Sequence, residues 1–273
     1  MRITLAQLNP TVGDIEGNLL RLHEVLKMAA QEGSDLLVLP ELFLVGYPPR
    51  DLLDMPWFTE RLDDAIRKLL AASELYPETG ILTGVPLHGR KEGVGLYNSA
   101  ILVLGGRLLF TQHKSLLPTY DVFDERRYFD PAEHVRVFPF KGHKLGISIC
   151  EDAWNDKDFW PRLLYDRDPI AELASQGATL LINISASPFQ AGKEEIRYNM
   201  LAAHARHYGL PFIYLNQVGA NDELIFDGCS LVLDAEGDLW WEGPGFQECV
   251  HTIDLRSPSS GQNFKARDKI ETV

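Results

Sequence analysis

Hydrophobic residues along the chain fall into short, nearly continuous runs of Val, Ile and Leu that are bounded by turn residues. Runs of this kind predict strands of a sheet that is covered on both faces. The predicted strands span residues 3–8, 36–39, 81–85, 99–104, 107–113, 145–149, 179–184, 212–216, 230–233 and 250–253. The stretch LGGRLL joins two of them and predicts a hairpin.

Between these runs, apolar residues recur at the spacing of an amphipathic helix. Residues 18–33 carry one apolar stripe, and Gly33 predicts its end. The segments 58–75, 168–176 and 194–207 share this periodicity. Alternating strands and helices predict the α/β class.

Composition and charge exclude several classes of protein. With 273 residues, of which 45% are hydrophobic, the chain can form a large core without disulfides. A net charge of −13 argues against nucleic-acid binding, and no apolar run has the length of a membrane span. Cys150, Cys229 and Cys249 lack zinc-ligand spacing, so no metal site is expected. An odd number of widely spaced cysteines and the lack of a signal peptide predict a cytoplasmic location.

Three predicted strands end on a reactive side chain: Glu41, Lys114 and Cys150. In open α/β sheets, chemistry collects at the carboxyl ends of strands. Each residue also has an ordinary interpretation, as a loop acid, a solvated lysine or a buried inert thiol. A Cys–His pair with His113 or His143 would be a competing arrangement, although neither histidine lies in a typical cysteine-protease pattern.

Together the three types suit acyl transfer through a thiol. A glutamate held away from water can take the thiol proton and return it to a leaving amine. Because Glu151 and Asp152 directly follow Cys150 and disfavour a thiolate, Lys114 must lie close enough to offset them. Lys114 and the backbone N–H of Glu151 could also face an oxyanion.

Long strings around these residues resemble a known family. The strings are LPELFLVGYPPRDLL, HKSLLPTYDVFDERRYF, GISICEDAW and NISASPFQAGK. They resemble the nitrilase (carbon–nitrogen hydrolase) superfamily, and within it the glutaminase domains of glutamine-dependent NAD+ synthetases. The resemblance implies a four-layer α-β-β-α sandwich with Glu41 as general base and acid, Lys114 as stabiliser of the thiolate and oxyanion, and Cys150 as nucleophile.

The same resemblance implies further site residues. Glu125 matches a second glutamate beside the lysine, although a surface ion pair with a neighbouring arginine is an equal alternative. Tyr120 matches a substrate contact, with simple aromatic packing as the alternative. Ser187 and Lys193 match positions that hold the amino-acid end of the substrate, although both types are also common in turns. Glu151 could meet the substrate ammonium.

The function that this resemblance implies is release of ammonia from L-glutamine through a thioester, for NAD+ synthesis by a synthetase domain. No cofactor is expected for that hydrolysis; ATP and deamido-NAD would belong to the synthetase domain, whose Ser-Gly-Gly-x-Asp-Ser loop is not found in this sequence. Two alternatives remain open. The first is an ω-amidase, nitrilase or N-carbamoyl amide hydrolase, and the second is a non-catalytic binding module.

Domain organisation is predicted as one amidohydrolase domain over residues 1–255, with residues 256–273 as a polar tail or linker. The segment 155–169 is longer than the resemblance to compact family members implies and is interpreted as a surface loop or lid. Its aromatic residues Phe159, Trp160 and Tyr165 are interpreted as packing or an oligomer contact. A homo-oligomer is expected from the family.

Overall fold

The computed structural model describes residues 1–89, 95–257 and 264–265, which form two stacked sheets with helices on their outer faces. The strands are β1 Arg2–Gln7, β2 Leu36–Val38, β3 Gly80–His88, β4 Leu96–Leu104, β5 Arg107–His113, β6 Val137–Phe140, β7 His143–Ile149, β8 Leu180–Ser185, β9 Phe212–Asn216, β10 Val218–Asn221, β11 Leu224–Asp227, β12 Leu231–Leu233, β13 Leu239–Glu242 and β14 Cys249–Asp254. The helices are α1 Ile15–Gln31, α2 Pro56–Glu74, α3 Pro169–Ser175 and α4 Lys193–Tyr208.

The first sheet has the strand order β14-β1-β2-β3-β4-β5, and the second has the order β13-β12-β9-β8-β7-β6. Strands β1, β2 and β3 are parallel, as are β7, β8 and β9. The outer strands of both sheets pair antiparallel. Each sheet therefore has a parallel centre, whose strand ends point to the same edge.

Three apolar layers hold the sheets and helices together. Strand β8 illustrates the pattern, because Leu180, Ile182 and Ile184 face the opposite sheet while Leu181 packs toward the helices. The outer face of the first sheet packs against α1 and α2, and that of the second against α3 and α4. This arrangement confirms the predicted four-layer α-β-β-α sandwich.

Local signals at the helix ends agree with the structure. The Asp14 carboxylate accepts the backbone N–H of Gly17 at the start of α1, and Asp168 accepts that of Ala171 at the start of α3. Such caps satisfy N–H groups that have no partner within the helix. Gly209 ends α4 with a left-handed backbone, at φ 62°.

Every predicted strand and helix overlaps one in the structure, but four strands were missed: β6, β10, β11 and β13. Strand β6 contains Pro139 and lies at a sheet edge, where a missing backbone donor is tolerated. Strands β10 and β11 form a separate two-stranded hairpin, and β13 is a short edge strand. All four are short and have weak alternation, so hydrophobic pattern does not distinguish them from loops.

Residues 258–263 and 266–273, most of the predicted tail, lie outside the described residues. The Phe264 ring stacks on the Tyr198 ring of α4, with centroids 4.2 Å apart. Among the residues that the structure describes, no helix has the length and apolar character needed to cross a membrane.

Gly84 of β3 lies against the chain that follows β2. A Cβ added there would lie 2.6 Å from the carbonyl carbon of Glu41 and 2.7 Å from its Cα. Real Cβ atoms do not approach backbone this closely, so a larger residue must displace one chain or the other. Gly84 thereby allows Glu41 to lie close to the first sheet.

We expect Gly84→Ala to lower the free energy of unfolding by about 1–3 kcal/mol, because overpacking against backbone forces the two chains apart. Urea denaturation of the purified protein measures this value. Gly95→Ala is the matched control, since its added Cβ would meet only the Asp130 carboxylate at 3.6 Å. Equal stabilities of the two variants would contradict the close-approach argument.

Candidate active site

The three strand-end residues lie at one edge of the sandwich. Glu41 follows β2, Lys114 follows β5 and Cys150 follows β7. Strand β5 runs in the direction of β2 and β3, because two antiparallel pairings separate β5 from β3. The sheet geometry thus brings to one place three side chains that are far apart in sequence.

Lys114 lies between two carboxylates and is fully buried. Its Nζ is 2.8 Å from Glu41 Oε1 and 2.8 Å from Glu125 Oε1. The side chains of Lys114 and Glu41 are 0% exposed, and that of Glu125 is 6% exposed. Two carboxylates and one ammonium leave one excess negative charge in this buried group whenever all three are ionised. Glu125 is therefore part of a buried triad with Lys114 and Glu41, and the alternative of a surface ion pair is wrong.

Further donors hold the two glutamates in place. Asn98 Nδ2 donates to Glu41 Oε1 at 2.7 Å, and the backbone N–H of Ala186 donates to Glu41 Oε2 at 2.8 Å. The Tyr47 hydroxyl donates to Glu125 Oε1 at 2.8 Å. Both oxygens of Glu41 are thus satisfied without water.

The buried triad shifts the protonation of its members. Burial alone would lower the pKa of Lys114, but the charges of Glu125 and Glu41 outweigh burial and raise it. Burial raises the pKa of Glu125 to about 7, against the opposing effect of Lys114. Glu125 Oε2 has no hydrogen-bond partner among the described residues, so one half of this carboxyl lacks a donor that would favour its ionised form. Lys114 therefore stays positively charged, and Glu125 changes its protonation state near pH 7.

Cys150 begins a short 3-10 helix, Cys150–Ala153, directly after β7. Its φ of 44° lies in the left-handed region, which is uncommon for residues other than glycine and makes the turn sharp. The residue is 7% exposed. The pKa of its thiol is raised, first by burial and then by Glu41, although Lys114 acts in the opposite direction. Lys114 lowers the thiol pKa more than the adjacent Glu151 raises it, but burial and Glu41 outweigh Lys114, so the pKa stays raised and the free thiol is neutral.

Asp152 joins the turn after β5 to the turn after β7. Its carboxylate accepts the backbone N–H groups of Ser115 at 2.9 Å, Leu116 at 2.8 Å and Ile149 at 3.0 Å. Burial raises its pKa to about 6. Sequence reasoning treated Asp152 only as a charge opposed to the thiolate and missed this role. No short sequence pattern indicated these backbone contacts.

Glu151, the residue after Cys150, is buried and accepts hydrogen bonds from two phenols. Tyr120 donates at 2.8 Å and 2.9 Å to its two oxygens, and Tyr165 donates at 3.1 Å to Oε1. Burial raises the pKa of Glu151, and the bond from Tyr120 opposes that shift. The structure therefore places Tyr120 and Glu151 together. Interpreting Tyr165 as a packing residue overlooked its hydroxyl.

Ser187 is buried and lies directly after Ala186, the residue that donates to Glu41. Its backbone N–H donates to Asn216 Oδ1 at 2.8 Å, and its carbonyl accepts from Asn216 Nδ2 at 3.2 Å. Asn216 thus fixes the backbone of Ser187 beside the triad.

Lys193 begins α4 and points back over the preceding loop. Its Nζ donates to the carbonyl of Pro188 at 3.1 Å and lies 5.1 Å from the centre of the Trp154 ring. Burial lowers the pKa of Lys193, with a further contribution from the Arg197 charge, while Cys150 and Glu151 act in the opposite direction. The site therefore contains both a buried carboxylate and a partly buried ammonium near Cys150.

Over residues 1–89, 95–257 and 264–265, no group of three or more His, Cys, Asp or Glu side chains is arranged to hold a metal ion.

Comparison with known proteins agrees with this fold. The model of the carbon-nitrogen hydrolase family matches residues 2–261. The glutamine-dependent NAD(+) synthetases of Synechocystis sp. and Thermotoga maritima are 42% and 41% identical to 99% and 93% of this chain. The matched parts are 49% and 42% of those proteins, so the chain spans about half the length of the curated relatives it matches.

Solved structures show the same architecture. A glutamine-dependent NAD+ synthetase from Acinetobacter baumannii, in complex with ADP, superimposes with a TM-score of 0.85 at 30% identity, over 98% of this chain and 48% of that one. An amidase of the nitrilase superfamily from Nesterenkonia AN1 superimposes with a TM-score of 0.79 at 25% identity, over 93% and 90% of the two chains. The fold is therefore that of the nitrilase superfamily. The chain belongs to the carbon-nitrogen hydrolase family and is an enzyme of that class.

The raised pKa of Glu125 makes stability depend on pH. Unfolded, this carboxyl has an ordinary pKa of 4.5; folded, its pKa is about 7. The folded state therefore binds more protons between these values, and the stabilisation present below pH 4.5 is lost as pH rises through 7. We expect Glu125→Gln to gain stability relative to the wild type across this window, by about 3 kcal/mol in total.

Urea unfolding at pH values from 4.5 to 7.5 measures the difference. The raised pKa of Asp152 is common to both proteins and cancels in the comparison. Asp124→Asn, which removes an exposed neighbouring charge, is the control and should run parallel to the wild type. Parallel curves for Glu125→Gln would show that Glu125 does not titrate in this range.

Proposed function

We propose that this chain hydrolyses the side-chain amide of L-glutamine to glutamate and ammonia. The observation that carries the proposal is the pair of opposite charges beside Cys150. Glu151 is a buried carboxylate and Lys193 is a partly buried ammonium, and the charges of both act on the Cys150 thiol. A free amino acid carries an ammonium and a carboxylate and needs fixed partners of opposite sign. The names of the synthetase relatives further support glutamine.

In the proposed first step, the Cys150 thiol attacks the amide carbon of glutamine. Because the thiol is neutral at rest, Glu41 accepts its proton as the carbon–sulfur bond forms. The electron pair of the carbonyl moves to oxygen, and Lys114 Nζ with the backbone N–H of Glu151 stabilises the resulting oxyanion.

In the next step the tetrahedral intermediate collapses. Protonated Glu41 donates its proton to the amide nitrogen, the carbon–nitrogen bond breaks, and ammonia leaves a thioester on Cys150. A water molecule then gives a proton to Glu41 and attacks the thioester. The carbon–sulfur bond breaks, the proton returns to the thiolate, and glutamate leaves. No cofactor is needed in this sequence.

Glu125 and Tyr47 have a supporting role in this proposal. Their hydrogen bond and the ion pair of Glu125 hold Lys114 independently of Glu41. Without Glu125, Lys114 would have one carboxylate partner, and that partner is the proposed base. A second glutamate keeps Lys114 placed while Glu41 is protonated.

We further propose that the ammonia supplies NAD+ synthesis by a synthetase domain that uses ATP and deamido-NAD. The support is that the chain matches about half of relatives named glutamine-dependent NAD(+) synthetase. The division into an amidohydrolase domain at 1–255 and a linker at 256–273, the homo-oligomer and the cytoplasmic location stay predictions.

We expect Cys150→Ala to lower the rate of ammonia release from L-glutamine by more than about 10³-fold, because the nucleophile is lost. An ammonia assay of the purified chain measures this. Cys249→Ala, in the partly exposed strand β14, is the matched control and should keep the wild-type rate. Ammonia release at the wild-type rate from Cys150→Ala would rule out the thioester, and no release from the wild type would favour the non-catalytic alternative.

We expect Lys193→Ala to raise KM for L-glutamine about 10-fold, because a partner of the substrate carboxylate is lost. Steady-state kinetics with glutamine and with propionamide measures this, and Lys27→Ala on α1 is the control for loss of an exposed lysine. If Lys193→Ala leaves the kinetics unchanged and propionamide is the better wild-type substrate, the amide hydrolases of other specificity are favoured.

A further inference from the structure

We propose that the 155–169 segment closes the amino-acid end of the pocket, with Tyr165 as a positioning residue that makes the enzyme select amides bearing an α-ammonium. This proposal rests on the proposed glutaminase function and adds its specificity. The segment leaves the 3-10 helix that begins with Cys150 and ends at the first residue of α3, so it is tied directly to the nucleophile turn.

Asn155 fixes the shape of this segment. Its Nδ2 donates to the carbonyls of Tyr165 at 2.8 Å and Arg167 at 2.6 Å. Its Oδ1 accepts the backbone N–H groups of Leu164 at 3.2 Å and Tyr165 at 3.3 Å. Asn155 is only 3% exposed. The buried Asn155 amide thus supplies hydrogen-bond partners for backbone groups that have none within this irregular loop. It thereby fixes the backbone on both sides of Tyr165.

The far end of the segment is anchored independently. Arg167 forms a two-pronged ion pair with Glu172 of α3, at 2.9 Å and 2.8 Å, and donates to the carbonyl of Ala132 at 2.7 Å. The planar guanidinium suits such paired contacts. Tyr165 is therefore held between the internal clamp at Asn155 and this external one.

Tyr165 is the second phenol that donates a hydrogen bond to the Glu151 carboxylate. Tyr120 spans both oxygens of the Glu151 carboxylate, and Tyr165 adds a second donor on Oε1. A carboxylate has about four acceptor positions, so these bonds leave Oε2 with room for an ammonium. Because burial raises the pKa of Glu151, each phenol that donates to its ionised form favours the charge that the substrate ammonium needs.

The same segment also contacts Trp154, the residue that lies against Lys193. The Trp160 ring stacks on that of Trp154, with centroids 6.3 Å apart, and the Phe159 ring meets Trp160 edge-on at 5.0 Å. Trp154 in turn lies beneath Lys193 Nζ. One segment therefore supports both the carboxylate and the ammonium of the protein that are proposed to hold the amino acid.

Glutaramate, which is glutamine without the α-amino group, is the probe that isolates this role. We expect Tyr165→Phe to raise KM for L-glutamine about 5- to 10-fold, with kcat changed less than about twofold, because the ground state and the transition state lose the same contact. Its kcat/KM for glutaramate should stay at the wild-type value. If turnover of glutaramate is too slow to measure, its inhibition constant as a competitor of glutamine is measured instead, and this constant should be the same for Tyr165→Phe and the wild type.

Two further variants complete the experiment. Asn155→Asp keeps Tyr165 but removes both Nδ2 bonds, and should reproduce the loss of preference for glutamine over glutaramate. Leu164→Ala changes a side chain that is 67% exposed in the same segment, and should keep the wild-type preference.

The outcomes distinguish failure of the role proposed for Tyr165 from failure of the glutaminase function on which it rests. If the wild type prefers glutamine and Tyr165→Phe keeps that preference, or loses both substrates equally through kcat, the role of Tyr165 is overturned and the glutaminase proposal stands. If Asn155→Asp keeps the preference while Tyr165→Phe loses it, the clamp is overturned. If the wild type hydrolyses glutamine and glutaramate equally well, the selection for an α-ammonium is overturned and the glutaminase proposal stands. If the wild type releases no ammonia from glutamine, the proposed function itself fails.

Discussion

The buried ammonium of Lys114 is the constraint on which the rest of the site depends. An unpaired charge at 0% exposure would be very costly, so two carboxylates must meet it, and each of these needs its own donors. Asn98, Ala186 and Tyr47 supply them. The donors come from different strands and loops, so satisfying one cation fixes the relative positions of much of the active-site edge.

This charge pattern also decides how the thiol is activated. Burial and Glu41 together keep Cys150 protonated, against the opposing effect of Lys114. A permanently ionised thiolate is therefore not what the site stabilises. In the proposed mechanism the proton leaves only as the bond to carbon forms, and Glu41, the proposed acceptor, is held in place by Asn98 and Ala186.

Local patterns in the sequence predicted the α/β class and the three strand-end residues, whereas the four-layer sandwich followed from the resemblance to the nitrilase superfamily. Apolar runs and helical periodicity place the strand ends, and parallel strands bring those ends to one edge. The contacts of Asp152, Asn98 and Tyr165 could not be predicted in this way. They depend on the register between sheets and on the path of an irregular segment, which one sequence does not encode in any short pattern. Strand β6, with Pro139, was missed for a related reason, since pairing rather than local preference makes it a strand.

Cys150 and Glu151 are consecutive residues, so the proposed reaction centre and the proposed ammonium site are separated by one step of backbone, about 3.8 Å between Cα atoms. The left-handed backbone of Cys150 turns the chain sharply at this step, and Asp152 holds the turn by its bond to Ile149. The spacing between the Cys150 sulfur and the Glu151 carboxylate proposed to meet the substrate ammonium is consequently constrained by this turn. The 155–169 segment, which begins just beyond it, then fixes the side chain of Glu151 through Tyr165. The proposed chemistry and the proposed specificity are therefore structurally linked, because the same turn positions Cys150, the proposed nucleophile, and Glu151, the proposed partner of the substrate ammonium.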